Sequence, residues 1–150
     1  MSKCIPDGVW PTMLTPFTDA NTVDYGALRE LVEWYIARQV DGLFAVCQSS
    51  EMFQLSLEER VGIASCVVKQ TAGRVPVIAA GHIADDMADQ IEEVRAISDT
   101  GVNAIVLVTN RLAGEEESDD VWKRNAEILF DELPDILFGF YECPYPYKRL

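Results

Sequence analysis

Histidine occurs once in these 150 residues, and the four cysteines (Cys4, Cys47, Cys66 and Cys143) never fall at a C-x-x-C spacing. So few nitrogen and sulfur ligands argue against a zinc site. Basic residues are scarce as well: 12 Lys and Arg stand against 25 Asp and Glu, a formal net charge of −13. A surface of that sign repels phosphate backbones and anionic lipid, so neither nucleic acid nor membrane is an expected partner. An anionic small molecule stays admissible, because donors inside a cleft override distant charge. No apolar run approaches the roughly 18–20 residues that cross a bilayer. The opening "MSKCIPDGVW" holds no apolar stretch of signal-peptide length, so export is not expected. The cysteines read most simply as free thiols in the cytoplasm. Linkers, low-complexity tracts and shifts of composition are missing too, which leaves one domain over residues 1–150.

What is present is a repeat of short apolar runs. Candidate strands are Val9–Leu14, Gly42–Cys47, Val75–Ala80, Ala104–Val108 and Ile136–Tyr141. Their centres are roughly 28–33 residues apart, the length of one strand-plus-helix unit. Nearly continuous apolarity suits parallel strands buried on both faces. Helical spacing of three and four links the segments between them: Leu28, Leu31, Val32 and Tyr35; Leu57, Val61, Ala64 and Val68; Met87, Ile91 and Val94; Trp122, Ala126, Leu129 and Leu133. Ser56-Leu57-Glu58-Glu59 is a capping-box signature, and Asp41-Gly42, Ala72-Gly73, Thr100-Gly101 and Leu133-Pro134 are stops.

The turns leading into strands are short. The loops leaving strands are longer and chemically mixed: "TPFTDANTVD", "QSSEMFQL", "GHIADD", "TNRLAGEEESDD" and "YECPYPYKRL". Parallel β/α architectures place their working face at the carboxyl ends of the strands. Five strands and four helices fit either a doubly wound sheet or the first five-eighths of a (β/α)8 TIM barrel, which needs about 250 residues. No Gly-rich phosphate turn follows the first strand. The fifth strand has no closing helix before the chain stops on "YPYKRL". An incomplete barrel is the expected fold.

The segments "GVWPTMLTPFT", "DGLFAVCQSSEMFQLSLEER", "VPVIAAGH" and "LFGFYECP" resemble, in order and spacing, the dihydrodipicolinate synthase / N-acetylneuraminate lyase family. The resemblance covers essentially the whole chain but only about the first half of a family member. It implies a class I aldolase or lyase on a (β/α)8 barrel, usually homotetrameric, that forms a Schiff base with a 2-keto acid such as pyruvate. No cofactor is implied, since the protonated imine is itself the electron sink.

By the same resemblance, Cys47-Gln48-Ser49-Ser50-Glu51 stands at the family's Gly-Ser/Thr-Thr-Gly-Glu motif. Substrate-binding roles then fall to Ser49, to the amides of Ser49 and Ser50, and to Gln48. Converging amides and a hydroxyl hold an anionic oxygen without a mobile countercharge. Gln48 replaces a hydroxyl residue, and an amide orients a substrate but relays protons poorly. Tyr141, in "YECP", matches the phenol that serves as general acid and base beside the Schiff base. Two departures count against lysine biosynthesis. Nothing aromatic lies between Thr109 and Val121, and "YPY" occupies the stretch after Tyr141 where synthases carry an arginine. The family's nucleophilic lysine belongs to a sixth strand. Lys3, Lys69, Lys123 and Lys148 do not match it, so this chain alone is expected to be inactive.

Other residues read more plainly. Glu51 reads as a structural ligand of loop amides and His82 as rim structure. "EEESDD" reads as a solvated helix start favoured by the macrodipole. Cys47 and Cys143 fall near the mouth without a partner histidine. Two other functions remain in view: a non-catalytic half-barrel that self-associates, and a five-stranded α/β binding domain.

Overall fold

The protein is described by a computed structural model over residues 5–147; Lys3, Cys4, Lys148 and Arg149 lie outside the described residues. The first three helices begin where a polar side chain meets the exposed amides of the first turn. Asp24 accepts from the amides of Gly26 and Ala27 at 2.9 Å to start α1 (Tyr25–Ile36). The predicted capping box starts α2 (Leu57–Thr71): Glu59 N–H donates to Ser56 Oγ at 3.2 Å, and Ser56 N–H to Glu59 Oε2 at 2.8 Å. Asp86 caps α3 (Met87–Ser98). Asp119 and Asp120, the end of "EEESDD", occupy the first turn of α4 (Asp119–Glu132), where the helix dipole favours negative charge. Among the described residues no helix is long and apolar enough to cross a membrane, and no group of three His, Cys, Asp or Glu is gathered to hold a metal ion.

Among the described residues four strands alternate with these helices: β1 (Leu43–Phe44), β2 (Val77–Ala79), β3 (Ala104–Val108) and β4 (Phe138–Tyr141). All pair in parallel, in the order β1-β2-β3-β4. That order decides the architecture. A doubly wound sheet reverses its strand order at a switch point, and none exists among the described strands. Right-handed crossovers between successive neighbours place every helix on one side of the sheet. Leu43, Val77, Ala79, Ile105 and Leu107 are buried toward that side, against Ile63, Val67, Val94, Ile97 and Leu129. The other side is an open, apolar hollow of about 430 Å³ lined by Phe44, Ile78, Val106, Gly139 and Tyr141. β1 and β4 stand three strand spacings apart, roughly 14 Å on a flat sheet. The rings of Phe44 and Tyr141 nevertheless meet with centroids 6.2 Å apart, so the sheet curls toward the hollow. The fold is part of a β/α barrel.

Two expectations need correction. Val9–Leu14 does not form a full strand: it joins β1 through a single parallel bridge, Thr12 to Phe44. Pro11 has no N–H to extend the ladder, and the amide of Val9 turns instead to the Asp41 carboxylate at 2.7 Å. A Cβ on Gly42 would fall 2.1 Å from the ring of Trp10, so only glycine lets this segment cross so closely. The buried face of α2 is also rotated from the expected one. Arg60, Ile63, Ala64, Val67 and Thr71 are buried, whereas Val61 and Val68 are only partly so. A charge at position 60 marks an outer face by pattern alone. Here that charge turns inward because Glu93 of α3 meets it.

Candidate active site at the carboxyl ends of the strands

The apolar run of β1 ends in a tight 3-10 turn over Gln48–Ser50, and the fully buried Ser50 explains why. Its Oγ lies 2.7 Å from the carbonyl of Met13 and 2.9 Å from that of Ala45, and it accepts from the amide of Cys47 at 3.2 Å. Thr15 donates to the Ser50 carbonyl at 2.8 Å. The Ser50 amide donates to Cys47 O at 3.1 Å. Both donors of Ser50 are thus engaged inside the protein, where they tie the turn to the first segment. Ser49 is exposed, and its hydroxyl donates to Thr12 Oγ1 at 3.3 Å. Glu51 closes the turn in the left-handed region (φ 60°).

Gln48 reaches across the hollow. Its Oε1 lies 3.1 Å from the thiol of Cys143, which follows β4, although 95 residues separate the two. The Cys143 thiol also lies 3.3 Å from the Tyr145 carbonyl, so its single proton has two acceptors. Tyr141 is half-buried on the hollow's wall, and among the described residues its hydroxyl makes no hydrogen bond. Burial, with the neighbouring Cys143 and Cys47, raises its pKa above the ordinary value and keeps the phenol protonated at neutral pH. Burial likewise raises the Cys143 thiol, against a smaller opposing effect of the Tyr145 carbonyl. Gln48, Ser49 and Tyr141 therefore share one end of the sheet, with Gln48 and the β4 loop in contact.

Sequence reasoning missed the groups that brace this mouth. Asn110, buried after β3, has its Nδ2 within 2.7–2.8 Å of the carbonyls of Cys143, Tyr145 and Tyr147. Tyr147 returns its hydroxyl toward the carbonyls of Asn110 and Ala113, each at 2.9 Å. No motif signals such a clamp, because an asparagine in a loop usually serves its own turn. After β2, Arg60 bonds the Gly81 carbonyl and pairs with Glu93 at 2.7 Å. Glu93 Oε2 accepts the amides of Ile83 and Ala84 at 2.7 and 3.0 Å. Gly81 (φ +137°) permits the close approach, since a Cβ there would fall 3.0 Å from Ile97.

His82, expected at the rim, is 1% exposed and cross-links the layers. The Val108 amide must donate, so Nε2 accepts it at 2.7 Å. The remaining N–H on Nδ1 then donates to Gln90 Oε1 at 3.0 Å, and Gln90 Nε2 donates to the Arg111 carbonyl at 2.8 Å. Burial, opposed by Gln90, lowers the His82 pKa to about 4, so the imidazole is neutral near pH 7. A neutral ring with both nitrogens engaged is a strut. Lys69 and Lys123, the two described lysines, lie exposed on α2 and α4, outside the sheet.

This parallel β/α barrel segment gathers hydroxyl, amide and phenol groups at the carboxyl ends of its strands, the end at which barrel enzymes carry their sites. Residues 5–139 match the dihydrodipicolinate synthetase family, and the chain belongs to it. It is 36% identical over 97 residues to 4-hydroxy-tetrahydrodipicolinate synthase of Shewanella pealeana, covering 65% of this chain and 33% of that one. Identity to the synthase of Acidithiobacillus ferrooxidans is 39% over 102 residues, 68% of this chain and 35% of the relative. Among solved structures, dihydrodipicolinate synthase of Acinetobacter baumannii complexed with pyruvate superposes with a TM-score of 0.83 at 25% identity, over 91% of this chain and 46% of that one. N-acetylneuraminate lyase of Mycoplasma synoviae shares the fold, with a TM-score of 0.78 at 24% identity over 92% and 47% of the two chains. The chain thus spans about a third to just under half the length of these relatives.

Proposed function

We propose that this chain is the N-terminal portion of a Schiff-base-forming lyase or aldolase that acts on a 2-keto acid of the pyruvate type with an aldehyde partner. The contact between Gln48 and Cys143 carries the reading, because it puts the turn after β1 and the loop after Tyr141 at one mouth. In this reading the Ser49 region receives the carboxylate, Gln48 orients the substrate, and Tyr141 passes protons as general acid and base. A phenol held protonated at neutral pH suits the acid half of that task. The curated relatives carry the synthase name. The loop after β3 without an aromatic residue, and "YPY" in the stretch after Tyr141 where synthases carry an arginine, are our grounds for placing the activity elsewhere among keto-acid lyases. A cytoplasmic homo-oligomer is part of the same proposal. In the same reading the amine that attacks the keto carbon lies on a sixth strand beyond these residues: Lys69 and Lys123 are exposed on outer helices, and neither Lys3 nor Lys148 matches the family's position.

Borohydride reduction in the presence of pyruvate tests this. A longer in-frame product bearing a sixth strand with lysine should gain the mass of one reduced pyruvate adduct, and the 150-residue chain should gain none. A stable adduct on Lys148 of the short chain overturns the assignment.

A second reading, self-association without catalysis, is favoured by the exposed apolar rim: Leu14 is 59% and Phe140 52% exposed at opposite edges of the sheet.

A further inference from the structure

We propose that Thr12 presents the hydroxyl proton that meets the carboxylate of the keto acid, and that Ser49 acts behind it as the residue that orients it. The inference rests on the keto-acid reading of this mouth. Ser49 has one hydroxyl proton, and that proton is aimed at Thr12 Oγ1, 3.3 Å away. A hydroxyl that accepts one bond keeps its own proton for another acceptor. Thr12 is therefore the outer end of a two-hydroxyl chain, in which the first bond polarises the second.

Register fixes the side on which this chain ends. Thr12 bridges Phe44 in parallel, and directly paired residues project to the same face of a sheet. Phe44 in turn pairs with Ile78, and Ile78 with Ala104, which makes one row across the hollow. The ring of Phe44 meets Tyr141 on that face. Thr12 thus shares a face with the proposed acid–base phenol, and its side chain is exposed. Thr15, three residues on, is the contrast. It is buried, and its hydroxyl is engaged by the Ser50 carbonyl. Of Thr12 and Thr15, one is open to a ligand and the other holds the turn. An anionic oxygen is the acceptor that gains most from such a donor, because hydrogen bonds to ionised groups are the stronger kind.

The test is an NMR titration of the 150-residue chain with sodium pyruvate, following amide shifts of residues 12, 49 and 141. Thr12→Val, which keeps shape and removes the hydroxyl, should weaken binding about tenfold, as expected for one bond to a carboxylate. Thr12→Ser should restore near-native affinity. Ser49→Ala should weaken binding only about two- to threefold, and should add little in the Thr12→Val background, because the two hydroxyls act in series. Native affinity in Thr12→Val, with a tenfold loss in Ser49→Ala, overturns the proposal and makes Ser49 the direct donor. If Thr12→Val does not fold, Ser49→Ala decides alone: a small loss supports Thr12 and a tenfold loss overturns it. Absence of any saturable shift in the unaltered chain overturns the keto-acid reading itself. That failure differs from binding that ignores Thr12.

Discussion

His82 shows how one residue can look chemical in sequence and prove mechanical in the fold. It follows β2 on the working side, yet both ring nitrogens bond within the protein and burial holds its pKa at about 4. An exposed histidine titrates near 6.5. Between these values the unfolded chain binds a proton that the folded chain refuses. The contribution is therefore intact above pH 6.5 and falls away toward pH 4, by up to about 3 kcal/mol. Urea midpoints of the native chain and His82→Asn should converge as pH drops across that window. Parallel curves would refute the linkage. Ser50 is the converse case, a residue placed at the site by sequence whose groups all face inward. Ser50→Ala should cost about 1–3 kcal/mol in chemical denaturation, since it leaves the Cys47 amide buried without its partner. The sequence motif located the turn correctly because a strand end must change direction somewhere. Which hydroxyl turns inward was not legible, as it depends on the distant carbonyl of Met13.

At the scale of elements, helices were legible where apolar residues alone cover the sheet and misread where a charge does so. The face of α4, with Ala126 and Leu129 buried and Leu133 just beyond, is the one its spacing predicts. α2 is rotated because Arg60 and Glu93, on different helices, are buried only as a pair. No single-helix pattern can report a partner 33 residues away. Glu93→Ala should cost about 3–5 kcal/mol, because it strands the Arg60 charge and frees the amides of Ile83 and Ala84. Replacing both residues by methionine should recover much of that loss in the same thermal melts. If the single variant costs no more than the double, the pair does not hold α2, α3 and the β2 loop together. The first segment was misread for a related reason: an apolar run predicts a strand, but Pro11 and the Asp41 carboxylate compete for the ladder's bonds.

The whole molecule is an open sheet with helices on one side, and its apolar rim should make it concentration-dependent. Light scattering should show a mass that rises with protein concentration, and Phe140→Lys should suppress the rise by placing a charge on an exposed edge. A constant monomer mass across the range would remove the self-association reading. The architecture itself was legible because strand spacing of one β/α unit repeats along the chain, whereas the hollow's closure depends on residues no local pattern names. Strand order adds a consequence of its own. Each unit packs on the one synthesised just before it, so neighbours in time are neighbours in space. Topologies rich in such near-sequence contacts form quickly, and this one can be assembled from its N-terminus while the rest of the polypeptide is still emerging. The links that join the first strand and its turn to the last, Phe44 to Tyr141 and Gln48 to Cys143, must wait for that strand to emerge.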